Sequence, residues 1–177
     1  IKGFGGTASG PQPLIDMHNK MSEILSKEAG NHVGSRLIAD LMNLIGMCVV
    51  AGNVRRSAEI GLGQPDDEDF INLKNPEYFP ERNSYDPENP GWAWLRNNSL
   101  DVKTGQDYSK FVERISSNGE PGFIWMDTTR QYGRLIDPIN NKDRRAVGFN
   151  PCLTADSMLL NEYGWISFGE AAQAGRK

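Results

Sequence analysis

The stretch from Ser35 to Val49, "SRLIADLMNLIGMCV", does most to restrict the folds open to this chain. Leu37, Ile38, Leu41, Met42, Leu44, Ile45, Cys48 and Val49 recur at helical spacing over a wide arc. A helix of that kind, with Ser35 as its expected N-cap, must be largely buried. Ahead of it, Leu14, Met17, Met21, Ile24, Leu25 and Ala29 mark an amphipathic helix over residues 13–29, which Gly30 stops. Behind it, "AGNV" breaks the period, and Ala58, Ile60 and Leu62 alternate with Ser57, Glu59 and Gly61 as in a strand.

The same reading continues along the chain. "PDDEDFINLK" predicts a short capped helix, residues 75–90 a loop, "NNSLDV" a strand, "DYSKFVERISS" a helix and "GFIWMD" a short buried strand. Helices alternating with single strands predict an α/β fold with parallel strands. From Ser157 the texture changes: "SMLLNEYGWISFGE" predicts two short strands about a turn at residues 162–164, an antiparallel habit. The boundary is placed at Pro151 and Cys152, dividing residues 1–151 from 152–177.

Composition sets limits on partners. With 177 residues, 38% of them apolar, the chain can bury an ordinary core. A net charge of -4, with Lys and Arg scattered, argues against a nucleic-acid or anionic-membrane surface. No apolar run approaches the roughly 20 residues of a membrane span, and "IKGFGGTASG" lacks the features of a secretory signal, so the expected location is cytoplasmic. Cys48 and Cys152 make neither a metal-ligand spacing nor a disulfide framework, so no metal is expected. A start without Met, on a glycine-rich loop, is read as a start inside a larger protein.

Three short segments carry the chemistry. "GFGGTASGP" is a glycine-rich loop leading into a helix, which suits an anion at exposed backbone N–H groups but equally a structural turn. In "VVAGNVRRSAEI", Gly52 and Asn53 allow an unusual backbone path, and Arg55 and Arg56 can fork onto phosphate or form a surface ion pair. "WLRNNSL" offers Asn97, Asn98 and Ser99, whose short polar groups suit a sugar, a phosphate or a turn. His18, near the apolar stripe of the first helix, is read as a core or boundary residue, His32 is left without a role, and Cys48 is read as a buried small hydrophobe.

Taken in order, "GFGGTASGP", "VVAGNVRRSAEI", "RNNSL", "GEPGFIWMDTTRQYGRL" and "GFNPC" resemble segments of the adenosylcobalamin-dependent (class II) ribonucleotide reductases, of the ribonucleoside triphosphate reductase type. The resemblance covers nearly all of residues 1–151. It implies part of a ten-stranded α/β barrel and reduction of a ribonucleotide by radical chemistry. It also implies adenosylcobalamin as cofactor, a deoxynucleotide allosteric effector and a dithiol reductant such as thioredoxin. On that mapping Gly5, Gly6 and Ser9 belong to an effector loop, and Asn53, Arg55 and Arg56 to a loop relaying the choice of substrate. Asn98 and Ser99 would lie by the substrate, and Asn150 would hold its ribose hydroxyls.

After "NPC" the family continues with Gly and the catalytic Glu, whereas here Leu153 and Thr154 follow. "CLTADSMLLNEYGWISFGE" instead resembles the opening block of an intein (Hint) domain, a first Cys followed by two strands about a Gly turn. That resemblance implies that Cys152 is the intein's first nucleophile, not the reductase's radical cysteine, which would return after the intein. A chain whose function is splicing alone and a non-catalytic nucleotide-binding module are the other readings the sequence leaves open.

Overall fold

The computed structural model describes residues 6–53, 57–132, 138–141, 143–148, 158–161 and 164–167, with the backbone alone for Asn53 and for most of the last two segments. The chain divides into two compact units, residues 1–144 and 145–177. The first opens on two helices of sixteen residues, α1 (Gln12–Lys27) and α2 (Ser35–Val50). Three strands follow, β1 (Glu59–Gly63), β2 (Arg96–Asp101) and β3 (Gly122–Ile124), forming a parallel sheet in the order β1-β2-β3. Parallel neighbours need long crossovers. The first holds helix α3 (Glu68–Ile71) and an irregular stretch to Pro90; the second holds a 3-10 turn at Ser109–Phe111 and helix α4 (Val112–Asn118). Helix α5 (Met126–Gln131) follows β3 directly. The predicted α/β class with parallel strands is what the structure has.

Because strand side chains alternate, equal register positions share a face. Glu59, Gly61 and Gly63 lie beside Arg96, Asn98 and Leu100, and Phe123 beside Leu100. This face carries the core: Leu100, Val102 and Phe111, all at most 1% exposed, pack with Ala39, Phe70, Ile71 and Leu73. A second apolar cluster, Ile24, Leu37, Leu44 and Trp92, joins α1 to α2. Glycine makes room at two close approaches between the layers. A Cβ on Gly46 of α2 would strike the Glu59 carboxylate, and one on Gly63 would enter the Phe70 ring.

Helix α2 departs from its sequence reading in two ways. Gly34, not Ser35, is the N-cap, and no side chain caps it; the Ser35 hydroxyl bonds Asp67 Oδ1 at 3.1 Å instead. Nor is the helix largely buried, since Ile38, Met42, Ile45 and Val49 form a stripe at least 39% exposed. Its inward face is partly polar, with Asp40 and Asn43 at 2% and 1% exposure. These two anchor the irregular stretch before β2. Arg82 Nε and Trp92 Nε1 both donate to Asp40 Oδ1, each at 2.7 Å, and Asn43 Nδ2 donates to the Trp92 carbonyl at 2.8 Å. Arg82 also donates to the Leu73 carbonyl, and Asn83 Nδ2 reaches Leu73 at 3.1 Å and Phe79 at 2.9 Å. The predicted loop is therefore ordered by buried polar contacts.

Other expectations differ in detail. The predicted capped helix is α3, with Asp67 Oδ1 accepting from Phe70 N–H at 2.9 Å. The strand predicted over "GFIWMD" ends at Ile124 and is only partly buried; Met126 starts α5, its N–H held by Asp101 Oδ1 at 3.3 Å. His18 is exposed, not a core or boundary residue, and Cys48 is half-buried.

In the second unit, β4 (Met158–Asn161) and β5 (Gly164–Ser167) pair antiparallel, with Leu159 opposite Ile166 and Asn161 opposite Gly164. Gly164 belongs to the strand, so residues 162 and 163 alone connect the pair, as in the shortest hairpins. The predicted boundary at Pro151 and Cys152 lies outside the described residues. Among the described residues no helix is long and apolar enough to cross a membrane.

Removing one partner of a buried ion pair strands the other charge, at a cost of about 3–5 kcal/mol. Asp40→Ala is expected to lose that much stability in denaturant unfolding and to open residues 75–92 to protease, while Glu23→Ala, on an exposed pair with Lys27, costs under about 1 kcal/mol.

Candidate functional site

The two glycine-containing loops singled out in the sequence meet in the structure. At the end of α2, residues Ala51–Asn53 form a 3-10 turn in which Gly52 takes φ 74°, a left-handed conformation that a side chain disfavours. This turn receives the stretch ahead of α1: Thr7 N–H donates to Gly52 O at 2.9 Å, across 45 positions of sequence. A Cβ on Gly52 would collide with the Thr7 carbonyl and stand 3.1 Å from Ser9 N. Glycine is thus required twice at this point, for its backbone angle and for the approach of the other loop. Gly6 is half-buried, and Ser9 is exposed beside the contact. Of the remaining candidates on these loops, the backbone of Asn53 lies in the turn, while Gly5, Arg55 and Arg56 lie outside the described residues. Asn150 and Cys152 lie outside them as well.

Asn98 and Ser99 sit next to each other on β2, so their side chains take opposite faces. Asn98 is 5% exposed on the core face, where its Oδ1 accepts from Arg96 Nε at 2.9 Å. Ser99 shares the other, more open face with the exposed Asn97 and with Asp101. A small ligand on that face would meet the Ser99 hydroxyl and the Asn97 amide, while Asn98 would act from behind the strand.

Behind β2 lies a group of charges that the sequence reading did not single out. The Arg96 guanidinium lies across Gly61, where a Cβ would stand 2.8 Å from its Cζ. Its NH2 has no hydrogen-bond partner, and neither does the buried Oε2 of Glu59, its register partner on β1. Burial pushes the Glu59 carboxyl above the usual carboxylate value, with Arg96 pulling the other way. Arg96 is held below the usual arginine value by burial first and then by the like charge of Arg82, against Glu59, Asp40 and Glu120. Across β2, Glu120 Oε2 accepts from Asn98 N–H at 3.2 Å, and Glu120 Oε1 takes Lys74 Nζ at 2.8 Å. The signals for these residues were present: Asp40 and Asn43 interrupt an apolar helix, and Arg96 and Glu120 stand inside quoted motifs.

A cleft of about 630 Å³ opens between α1, α2 and residues 81–92, floored by Met17, Leu44, Met47 and Trp92. Lys20 crosses its rim, 2.6 Å from Glu81 and 5.2 Å above the Trp92 ring. Partial burial would lower the Lys20 pKa, but its bonds to Glu81 and Glu23 raise it on balance. Cys48 borders this cleft. Among the described residues no three His, Cys, Asp or Glu side chains converge on a metal position.

The chain is 46% identical over 162 residues to the adenosylcobalamin-dependent ribonucleoside-triphosphate reductase of Euglena gracilis, covering 90% of this chain and 21% of that one. It is 46% identical over 154 residues to the probable enzyme of the same name in Dictyostelium discoideum, and 44% identical over 154 residues to that of Lacticaseibacillus paracasei. Each of these covers 86% of this chain and 19% of the relative. A crystal structure of a B12-dependent (class II) ribonucleotide reductase superposes with a TM-score of 0.62 at 40% identity, over 78% of this chain and 18% of that one. No family model matches. The matched stretch is homologous to a segment of these reductases, in agreement with the motifs that suggested them, and the chain spans about a fifth of the relatives' length.

Gly52→Ala is expected to cost both backbone strain, about 1–2 kcal/mol, and the Thr7 contact. Gly105→Ala, at φ 81° with nothing within 4 Å of its Cβ, carries the strain alone. Unfolding midpoints of the two variants should therefore differ, with Gly52→Ala the lower.

Proposed function

We propose that this chain is a segment of an adenosylcobalamin-dependent ribonucleoside-triphosphate reductase, followed from Cys152 by the start of an intein. The observation that carries the first half is the Thr7–Gly52 bond, which holds two loops of the matched segment against each other. Two loops in contact suit a deoxynucleotide effector read by one, with Gly5, Gly6 and Ser9, and a substrate choice relayed by the other, with Asn53, Arg55 and Arg56. The parallel sheet then forms part of the ten-stranded barrel, with Ser99 and Asn98 of β2 by the ribonucleotide and Asn150 at its ribose hydroxyls. A dithiol protein of the thioredoxin class would return the electrons, in the cytoplasm.

When bound, adenosylcobalamin supplies the radical that makes loss of a ribose hydroxyl feasible. The described residues do not fit a site for it: the His residues, His18 and His32, are both exposed, and the cleft beside α1 is rimmed by the charged Asp16, Lys20, Glu81 and Glu88. The residues of this chain bind and orient the nucleotide.

The intein reading draws support from the hairpin of β4 and β5, which suits the opening strands of a splicing domain. In that role the Cys152 thiolate attacks the carbonyl carbon of Pro151. A C–S bond forms, the Pro151–Cys152 C–N bond breaks, and the released amine takes a proton, leaving a thioester.

The complete protein tests both halves. Replacing Arg55 and Arg56 by Ala should leave the fold intact and bring effector control of substrate choice, commonly about 5–150-fold, close to unity. Unchanged effector control would remove the relay assignment. A Cys152→Ala precursor should accumulate at its unspliced mass, and a ligated product carrying Ala after Pro151 in mass spectrometry would refute the intein.

A further inference from the structure

Strand β3 begins at Gly122, paired with Ser99, so the β2 residue before it has no strand residue opposite on that side. That residue is Asn98, and its N–H is met instead by the Glu120 carboxylate at 3.2 Å. The other Glu120 oxygen is held by Lys74 Nζ at 2.8 Å, with the two side chains 17% and 20% exposed. From the opposite direction, Arg96 Nε fixes the Asn98 side chain at 2.9 Å. Asn98 is therefore tied through its backbone to Glu120 and through its side chain to Arg96. The residues on either side of it, Asn97 and Ser99, turn to the open face.

We propose that Glu120 and Lys74 are positioning residues for the nucleotide-facing side of β2, the carboxylate standing in for a strand that has not yet begun and fixing the height of Ser99. The inference rests on the reading of β2 as a substrate strand given above. A carboxylate suits the task better than a neutral acceptor, because an ionised acceptor binds a backbone N–H more strongly than a neutral one does. Lys74 neutralises that charge in a half-buried place and keeps the carboxylate from turning toward solvent. The role of the carboxylate cannot be met by an amide, since a glutamine would set its NH2 donor to donor against either the ammonium or the Asn98 N–H. The whole arrangement acts from behind the strand and need not touch the ligand.

The complete protein offers two independent readouts. In hydrogen exchange followed by mass spectrometry, without nucleotide, Glu120→Leu should speed exchange of the peptide spanning residues 96–101 about tenfold, as loss of one partly buried hydrogen bond to a charged acceptor implies. A peptide from β1 should stay at its original rate. Lys74→Met should give a smaller rise, which Lys74→Arg restores. Exchange at the original rate in both Glu120→Leu and Lys74→Met would overturn the network itself. In steady-state kinetics, Glu120→Leu should raise KM for the ribonucleotide about tenfold with a smaller change in kcat, and should add nothing in a Ser99→Ala background. Additive effects of the two substitutions would overturn positioning through Ser99. If Ser99→Ala alone leaves KM unchanged, β2 is not the substrate strand, and that result separates failure of the functional reading from failure of the network, which the exchange experiment reports on its own.

Discussion

One carboxylate oxygen organises the first unit. Asp40 Oδ1 accepts from Arg82 and from Trp92 in a place 2% exposed. Both donors belong to the long crossover between β1 and β2, whose part after α3 has little regular structure of its own. Without that anchor the stretch after Leu73 would rest on the Asn43 and Asn83 bonds and its own turns. With it, Trp92 is delivered into the cluster that joins α1 to α2, and the chain enters β2 at a fixed point, through Ala93 and Leu95, both buried. A buried ion pair contributes little net energy when compared with apolar substitutes, but it allows few alternative arrangements. Here its value is geometric: it sets where β2 starts, and so which residues of "RNNSL" face which way.

Much of this was legible in the sequence because it rests on periodicity. The amphipathic pattern of residues 13–29 gave α1 to within two residues at either end, and the alternation around Ile60 gave β1. Periodicity reports apolar residues, however, and not what covers them. Ile38, Met42, Ile45 and Val49 follow the same helical rule as Leu37 and Leu44, yet they form the exposed side of α2, since its inward face joins those two leucines to Ala39, Asp40, Asn43 and Gly46. The polar interior was hidden for a related reason: Arg82 and Asp40 stand 42 positions apart, and no local pattern links them.

The candidate site shows the same division. The loops at Gly6 and Gly52 could each be picked out locally, but their contact is a tertiary fact. "NNS" was correctly marked as a polar segment within a strand. Pleating then decides that Asn98 joins Arg96 in the interior while Ser99 keeps the open face, a distinction available once the strand assignment is taken literally. Glu120 was quoted within its motif but given no task, because its task is to satisfy an amide on another strand.

The Thr7–Gly52 bond has a consequence for how the helical pair comes apart. The turn after α1 joins the helices at one end, and this bond joins the segments flanking them at the other, so the two helices lie in a closed ring. The conformational freedom lost in bringing residues 7 and 52 together grows only with the logarithm of the span, so one added residue in the intervening turn costs little. Geometry is less forgiving. A residue added within either helix rotates everything beyond it by about 100°, and the ring could then close only by breaking the bond or turning an apolar face outward. Length changes in this pair are therefore tolerated at the turn near Gly30 and excluded from the helices, a pattern that would mark the ring in any set of related sequences.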